Sequence, residues 1–85
     1  MRTVVWQPRA VKQLKKLGDR TVQVRILQAT DSLAHFPDVT GVKALTNHRY
    51  GYRLRVGDYR VLFDAFDAIE VVSIEEVRKR NERTY

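Results

Sequence analysis

A two-residue turn between segments of alternating character constrains the fold of this chain more than any other feature. Gly57 and Asp58 form the turn, and the residues on both sides change from apolar to basic with a period of two. This pattern predicts a β-hairpin over residues 52–63. Counting outward from the turn, residue 56 pairs with 59, 55 with 60, 54 with 61, 53 with 62 and 52 with 63.

The predicted register gives the hairpin one apolar and one basic face. The apolar face should lie on the core and consists of Tyr52, Leu54, Val56, Tyr59, Val61 and Phe63. The opposite face, called the arginine face below, carries Arg53, Arg55 and Arg60 with Leu62. Arg55 lies directly opposite Arg60, and like charges in that relation destabilise a sheet by up to roughly 1 kcal/mol.

Two interpretations of the arginine face are open. A negatively charged ligand would remove the repulsion, and arginine suits phosphate or carboxylate because its guanidinium binds either group through two hydrogen bonds. Alternatively, acids of the same fold neutralise these arginines. The acids that follow in the sequence are Asp64, Asp67, Glu70, Glu75 and Glu76.

The first half of the chain predicts one strand and two helices. Residues 2–6 are rich in β-branched side chains, which is typical of a strand. Pro8 suits the first position of a helix, which ends at Gly18. Asp19 is the expected N-cap of a second helix that stops at Pro37, and the short turn between the helices predicts an antiparallel hairpin.

The remaining segments complete a single small α+β domain over residues 1–85. Residues 38–50 are expected to form a loop with one extended piece near 42–45. The run 69–74 predicts a third strand of the meander, and residues 75–85 predict a strand end that leads into a short basic tail or helix. The order is β-α-α-β-β-β, and an antiparallel sheet with the helical hairpin on one face accommodates it.

Composition narrows the classes of function. Sixteen basic and ten acidic residues give a net charge of +6, which favours an anionic partner such as nucleic acid. The absence of cysteine excludes disulfides and thiolate chemistry. Neither a metal-ligand spacing nor a glycine-rich phosphate loop is present, so we expect no metal and no cofactor. No apolar run is long enough to span a bilayer, and we expect a cytoplasmic protein without a membrane partner.

The hairpin sequence, with its flanks, resembles a known family. The segment from Gly51 to Phe63, the later run from Val71 to Ile74 and the basic stretch ending in Tyr85 are similar to the RelE/ParE superfamily of toxins from toxin–antitoxin systems. The resemblance extends over essentially the whole chain and includes the amino-terminal segment Val5 to Leu17. The β-α-α-β-β-β layout of that family agrees with the layout predicted above.

The resemblance implies a function and a set of partners. RelE-type members are endoribonucleases that cut messenger RNA in the ribosomal A site, where the RNA 2′-hydroxyl attacks the adjacent phosphate. They need no metal, and a cognate antitoxin neutralises them. Operator DNA is bound only through the antitoxin. Two alternatives are a ParE-like inhibitor of DNA gyrase without nuclease activity, and an RNA-binding module that does not cleave.

The resemblance also assigns candidate site residues. The catalytic set that it implies is Arg55, Arg60, Lys79 and Tyr85. The RNA-binding set that we expect beside it is His48, Arg49, Arg53, Arg78, Arg80 and Arg83. Lys79 fills the carboxyl-terminal basic position in an ungapped alignment, but a shift of one residue would place Arg78 or Arg80 there.

Arginine replaces the lysine that is usual in the family at positions 53 and 55, which changes the chemistry available there. A guanidinium is a poor general acid because its pKa exceeds about 12. We therefore expect Arg55 and Arg60 to stabilise the charge of the pentacovalent phosphorane. Tyr85 would act as general base, provided that the surrounding cations lower its phenol pKa.

Overall fold

The computed structural model describes residues 1–80, and all structural statements below refer to these residues. The chain begins with β1 (Thr3–Trp6) and two helices, α1 (Pro8–Lys16) and α2 (Arg20–Asp31), the second of which continues as a 3₁₀ turn (Ser32–His35). Four strands complete the described part: β2 (Val42–Ala44), β3 (Tyr52–Val56), β4 (Tyr59–Phe66) and β5 (Val71–Lys79). A second 3₁₀ turn (Asp67–Ile69) joins β4 to β5.

The five strands form one mixed sheet in the order β1-β5-β4-β3-β2. The strands from β2 to β5 are antiparallel neighbours, whereas β1 pairs with β5 in parallel. The α+β class is therefore confirmed, but a wholly antiparallel sheet is wrong. The reason is non-local: β1 enters the sheet beside the last strand, and the local sequence pattern does not specify that partner.

The predicted hairpin register is confirmed at every pair from Val56–Tyr59 to Tyr52–Phe63. Gly57 has φ +56°, a left-handed conformation that glycine adopts without steric cost. A Cβ at this position would also meet Nη2 of Arg25 at 3.0 Å. The turn thus fixes the register, and the register fixes which side chains face the core.

The helices cover the apolar face of the sheet. Asp19 caps α2 as predicted, since its carboxylate accepts hydrogen bonds from the backbone amides of Thr21 and Val22 at 3.0 and 3.3 Å. The core joins one side of both helices to the sheet and comprises Ala10, Leu14, Ile26, Leu33, Leu54, Val56, Val61, Phe63, Val72, Ile74 and Val77. The opposite face of the sheet carries the arginines together with two buried side chains, Leu62 and Glu76.

The prediction for the last strand is wrong in its bounds. The strand covers Val71–Lys79, whereas residues 69–74 were expected, and Ile69 lies in the preceding 3₁₀ turn. Leu62 pairs with Glu76 while Phe63 pairs with Ile74, so Glu75 is an extra residue in β5 and forms a β-bulge. The residues predicted to begin a tail or helix are thus the continuation of the sheet as far as Lys79.

Candidate functional site

Three arginines lie side by side across the centre of the arginine face. Arg55 on β3 pairs with Arg60 on β4, and Arg60 pairs in turn with Arg78 on β5. We call these three residues the arginine row. Arg55 is exposed, while Arg60 and Arg78 are half-buried. Neighbouring strands are about 4.8 Å apart, so the row concentrates positive charge within roughly 10 Å.

One of the acids considered as internal partners, Glu76, pairs with Arg78, whereas the two arginines of β3 keep their charge. Within residues 1–80, neither Arg53 nor Arg55 forms an ion pair with an acidic side chain. Asp64 instead accepts a hydrogen bond from the backbone amide of Gly51 at 2.7 Å, and Glu75 accepts one from the Ser73 hydroxyl at 2.7 Å. The arginine face therefore retains the features of an anion-binding surface.

A cleft lies beside the row at the turn end of the hairpin. It has a volume of about 560 Å³ and is lined by Asp58, Arg60, Lys79 and Arg80. Lys79 pairs with Tyr59, so it leaves the strand on the side opposite the arginine row, but both Lys79 and Arg80 are exposed at the cleft. The backbone amide of Arg80 donates to the carbonyl of Asp58 at 2.7 Å, which fixes the residue after β5 against the hairpin turn.

A buried carboxylate lies next to the arginine row. Glu76 is 5 % exposed and faces the same side of the sheet as Arg78. Its Oε1 accepts from Nε of Arg78 at 2.8 Å and lies 2.6 Å from Nη2. Its Oε2 accepts from the hydroxyl of Tyr50 at 2.7 Å, and Nη1 of Arg9 lies 3.6 Å away.

The network holds both titratable partners in defined protonation states. Burial opposes ionisation of the Glu76 carboxyl, but the hydrogen bonds from Tyr50 and Arg78 and the positive charge of Arg78 outweigh it and lower the pKa of Glu76. Burial, together with the hydrogen bond and negative charge of Glu76, raises the pKa of Tyr50. At neutral pH, Glu76 is thus an ionised acceptor and Tyr50 a neutral donor.

We expect this network to stabilise the fold near neutral pH and to lose that contribution in acid. Because the pKa of Glu76 is lower in the folded chain, its stabilisation is present above the unfolded pKa and disappears as the pH falls through the folded pKa. In urea titrations, the difference in unfolding free energy between the wild type and Glu76→Gln should shrink below about pH 4.3. A difference that stays constant from neutral to acid pH would contradict the lowered pKa.

The remaining described residues of the predicted site lie around the row. Arg53 is half-buried on β3 between Leu62 and Lys43. His48 lies in the loop before β3, where its Nδ1 accepts from the amide of Tyr50 at 3.0 Å. The guanidinium of Arg49 lies 5.6 Å from the ring centre of Tyr50. These three residues therefore border the arginine row on the side away from the cleft.

Two predicted site residues, Arg83 and Tyr85, lie outside the described residues, so their assignments stay predictions. The sequence analysis named Glu76 only among the acids that could neutralise the arginines, and it assigned no part in the site to Tyr50 or Arg9. A signal for Glu76 was present: Ile74 and Val77 are three residues apart, a spacing that a regular strand cannot place on one face and that a bulge can.

No helix between residues 1 and 80 is long and apolar enough to cross a membrane. Across the same range, histidine and carboxylate side chains form no group of three or more that could hold a metal ion.

Comparison with known proteins gives one family match. The family model described as the ParE toxin of the type II toxin–antitoxin system parDE matches residues 4–84. This match spans both helices, the arginine row and all of the sheet except the first residue of β1. No curated protein matches the sequence significantly.

Several solved structures share the fold over nearly the whole chain. The archaeal RelE–RelB complex from Pyrococcus horikoshii OT3 is 26% identical with a TM-score of 0.76, and the match covers 95% of this chain and 97% of that one. The RelBE2 toxin–antitoxin complex from Mycobacterium tuberculosis has 24% identity, a TM-score of 0.79 and coverage of 93% and 98%. The isolated E. coli RelE toxin has 20% identity, a TM-score of 0.78 and coverage of 99% and 89%.

Proposed function

Since the chain belongs to the ParE toxin family and is a toxin of a type II toxin–antitoxin system within the RelE/ParE superfamily, we propose that it is an endoribonuclease that cleaves messenger RNA on the ribosome. The observation that carries this proposal is the arginine row. Three guanidinium groups on adjacent strands suit the crowded negative charge of a phosphate undergoing substitution.

The proposed reaction is a transfer within the RNA strand. The 2′-oxygen forms a bond to the adjacent phosphorus, the bond from phosphorus to the 5′-oxygen breaks, and the products are a cyclic phosphate and a 5′-hydroxyl. The 2′-hydroxyl gives its proton to the phenolate form of Tyr85. The leaving 5′-oxygen takes a proton from Lys79, because an ammonium group loses its proton more readily than a guanidinium.

The positions of three cations support this proposal. Arg55 and Arg60, which are paired on the hairpin, would stabilise the phosphorane, and Lys79 lines the same cleft as Arg60. The other basic residues of the predicted site would hold the flanking phosphates of the message, and these are His48, Arg49, Arg53, Arg78, Arg80 and Arg83.

The partners follow from this activity. A cognate antitoxin neutralises the chain, and its acidic side chains would compete with RNA for the arginine face. The messenger RNA is presented in the A site of the small ribosomal subunit, and operator DNA is reached only through the antitoxin. A protein of this charge, acting on ribosomes, works in the cytoplasm.

A reconstituted translation reaction tests the proposal. Purified chain is added to translating ribosomes, and the 5′ ends of the message are mapped by primer extension beside a reaction without ribosomes. We expect cuts at fixed positions within codons only while ribosomes translate. An intact message under both conditions would reject the nuclease.

The second candidate is inhibition of DNA gyrase, and the match to the ParE family model favours it. In that case, the chain would leave messages intact and would block supercoiling by purified gyrase. A supercoiling assay run with the same preparation separates the two functions. Salt-sensitive RNA binding without cleavage and without gyrase inhibition would leave the third alternative, a binding module that does not cleave.

Tyr85→Phe should lower cleavage on the ribosome by on the order of a hundredfold or more, because the variant removes the proposed general base while keeping the ring. The measurement is the single-turnover rate of cleavage at a saturating concentration of the protein. Tyr59→Phe is a suitable control, since it removes a tyrosine hydroxyl on the core side of the hairpin. Full activity of Tyr85→Phe would remove Tyr85 from the mechanism.

A further inference from the structure

The proposed reaction gives no part to Glu76, although this residue is the most buried acid on the arginine face. Placing a carboxylate beside a site for phosphate has a cost, since its charge repels the ligand. It also has a desolvation cost, because burying an ionised group is unfavourable unless it is well paired. The contacts of Glu76 should therefore show a favourable effect that offsets both costs.

The contact with Arg78 has the geometry of a fixed pair. Nε and Nη2 of the guanidinium both approach Oε1, at 2.8 and 2.6 Å, so one edge of the planar group is held by the carboxylate. A guanidinium carries five N–H donors, and binding Glu76 through Nε and Nη2 does not exhaust them. The carboxylate thereby orients Arg78 through one edge of the guanidinium only.

The carboxylate is itself held from the opposite side. The Tyr50 hydroxyl donates to Oε2 at 2.7 Å, and Tyr50 is 7 % exposed. Glu76 also lies within β5, where Leu62 is its partner on β4. The orientation of Arg78 is therefore set by buried side chains and by strand pairing.

We propose that Glu76 is a positioning residue, which holds the guanidinium of Arg78 in the arginine row so that the row binds phosphate. The inference rests on the proposed function in naming RNA as the anion. Glu76 acts through Arg78 and does not touch the ligand. Without Glu76, the long side chain of Arg78 samples several rotamers, and binding must then select one of them.

Binding of a non-cleavable RNA tests the proposal, because charge and positioning predict opposite changes in RNA affinity. The probe is a short 2′-O-methylated RNA, whose blocked 2′-oxygen cannot attack. Glu76→Gln raises the net charge from +6 to +7, and charge alone predicts tighter binding. Loss of positioning predicts the reverse, and we expect affinity to fall roughly three- to tenfold.

Glu75→Gln is the matched control. It removes the same charge from the neighbouring residue, which accepts from the Ser73 hydroxyl and forms no ion pair in the described chain. We expect Glu75→Gln to bind the probe as tightly as the wild type or more tightly. Equal affinities of the two variants would overturn the proposal.

Arg78→Lys tests the same contact in a chain that retains Glu76. Lysine keeps the charge but lacks the planar fork, so we expect a similar loss of affinity. Since Glu76 acts through Arg78, the double variant should bind no more weakly than Arg78→Lys alone. Losses of RNA affinity that add fully in the double variant would contradict this. If Glu76→Gln does not fold, the affinity of Arg78→Lys can still be compared with that of the wild type.

Nuclear magnetic resonance of the arginine Nε–Hε groups decides the contact without any RNA. We expect the Arg78 signal to be shifted and slow to exchange in the wild type and in Glu75→Gln, and to lose both properties in Glu76→Gln. An unchanged Arg78 signal in Glu76→Gln would overturn the proposal. If the wild type binds no RNA, the proposed function fails. The same spectrum, recorded with inorganic phosphate as the anion, still decides whether Glu76 positions Arg78.

Discussion

Arg60→Gln should lower messenger RNA cleavage by roughly a hundred- to a thousandfold, the range found when one preorganised donor to a developing negative charge is removed. Arg60 is the centre of the arginine row, with Arg55 on one side and Arg78 on the other. It also lines the cleft that contains Lys79 and Arg80. No other residue of the proposed site belongs to both the row and the cleft, as far as the described residues extend.

The effect of Arg60→Gln on the fold is measured separately, by urea titration. Its two neighbours in the row carry the same charge, and each like-charged pair costs up to roughly 1 kcal/mol. We expect activity to fall in protein that remains folded. Lys43→Gln is the control, because it removes an exposed positive charge from the same face at the edge strand, outside the row. Full activity of Arg60→Gln, or an equal loss in Lys43→Gln, would contradict the proposed site.

Phe63→Ala should destabilise the fold by about 3–5 kcal/mol. Phe63 has no exposed surface and is the largest fully buried side chain. Its ring packs edge-on against Phe36 at 5.6 Å and stacks with Tyr52 at 5.4 Å between ring centres. Since domains of this kind are stable by only about 5–15 kcal/mol, the substitution removes a large part of the total.

Phe66→Ala provides the matched control for this prediction. Phe66 lies on the same strand, is 48 % exposed and faces the other side of the sheet. Its truncation should change the unfolding free energy by no more than about 0.5 kcal/mol. Urea unfolding followed by the fluorescence of Trp6 measures both variants. Similar losses in the two would show that burial in the core does not set the effect.

The central hairpin could be predicted in full because all of its determinants are local. The turn at Gly57 and Asp58 fixes the pairing, and the period of two then assigns every side chain of residues 52–63 to a face. The same holds for the helices, whose starts at Pro8 and after Asp19 depend on neighbouring residues only. The opposition of Arg55 and Arg60 followed from the sequence for this reason.

The place of Arg78 in the arginine row could be known only from the tertiary structure. Had β5 continued its pairing without the bulge, Arg60 would face Val77, and Arg78 and Glu76 would lie on the core side. The bulge at Glu75 moves Val77 into the core and turns Arg78 towards Arg60. Burial of one apolar side chain thus decides which cations join the site.

The sequence by itself determined the hairpin register, the two helices and the basic character of one sheet face, since each follows from residues close together in the chain. Only the tertiary structure decided the parallel pairing of β1 with β5, the bulge in β5 and the contacts among Tyr50, Glu76 and Arg78. These features join residues that are far apart in the chain or depend on competition for the core. The local periodicity of a sequence carries no information about long-range pairing or about competition for the core.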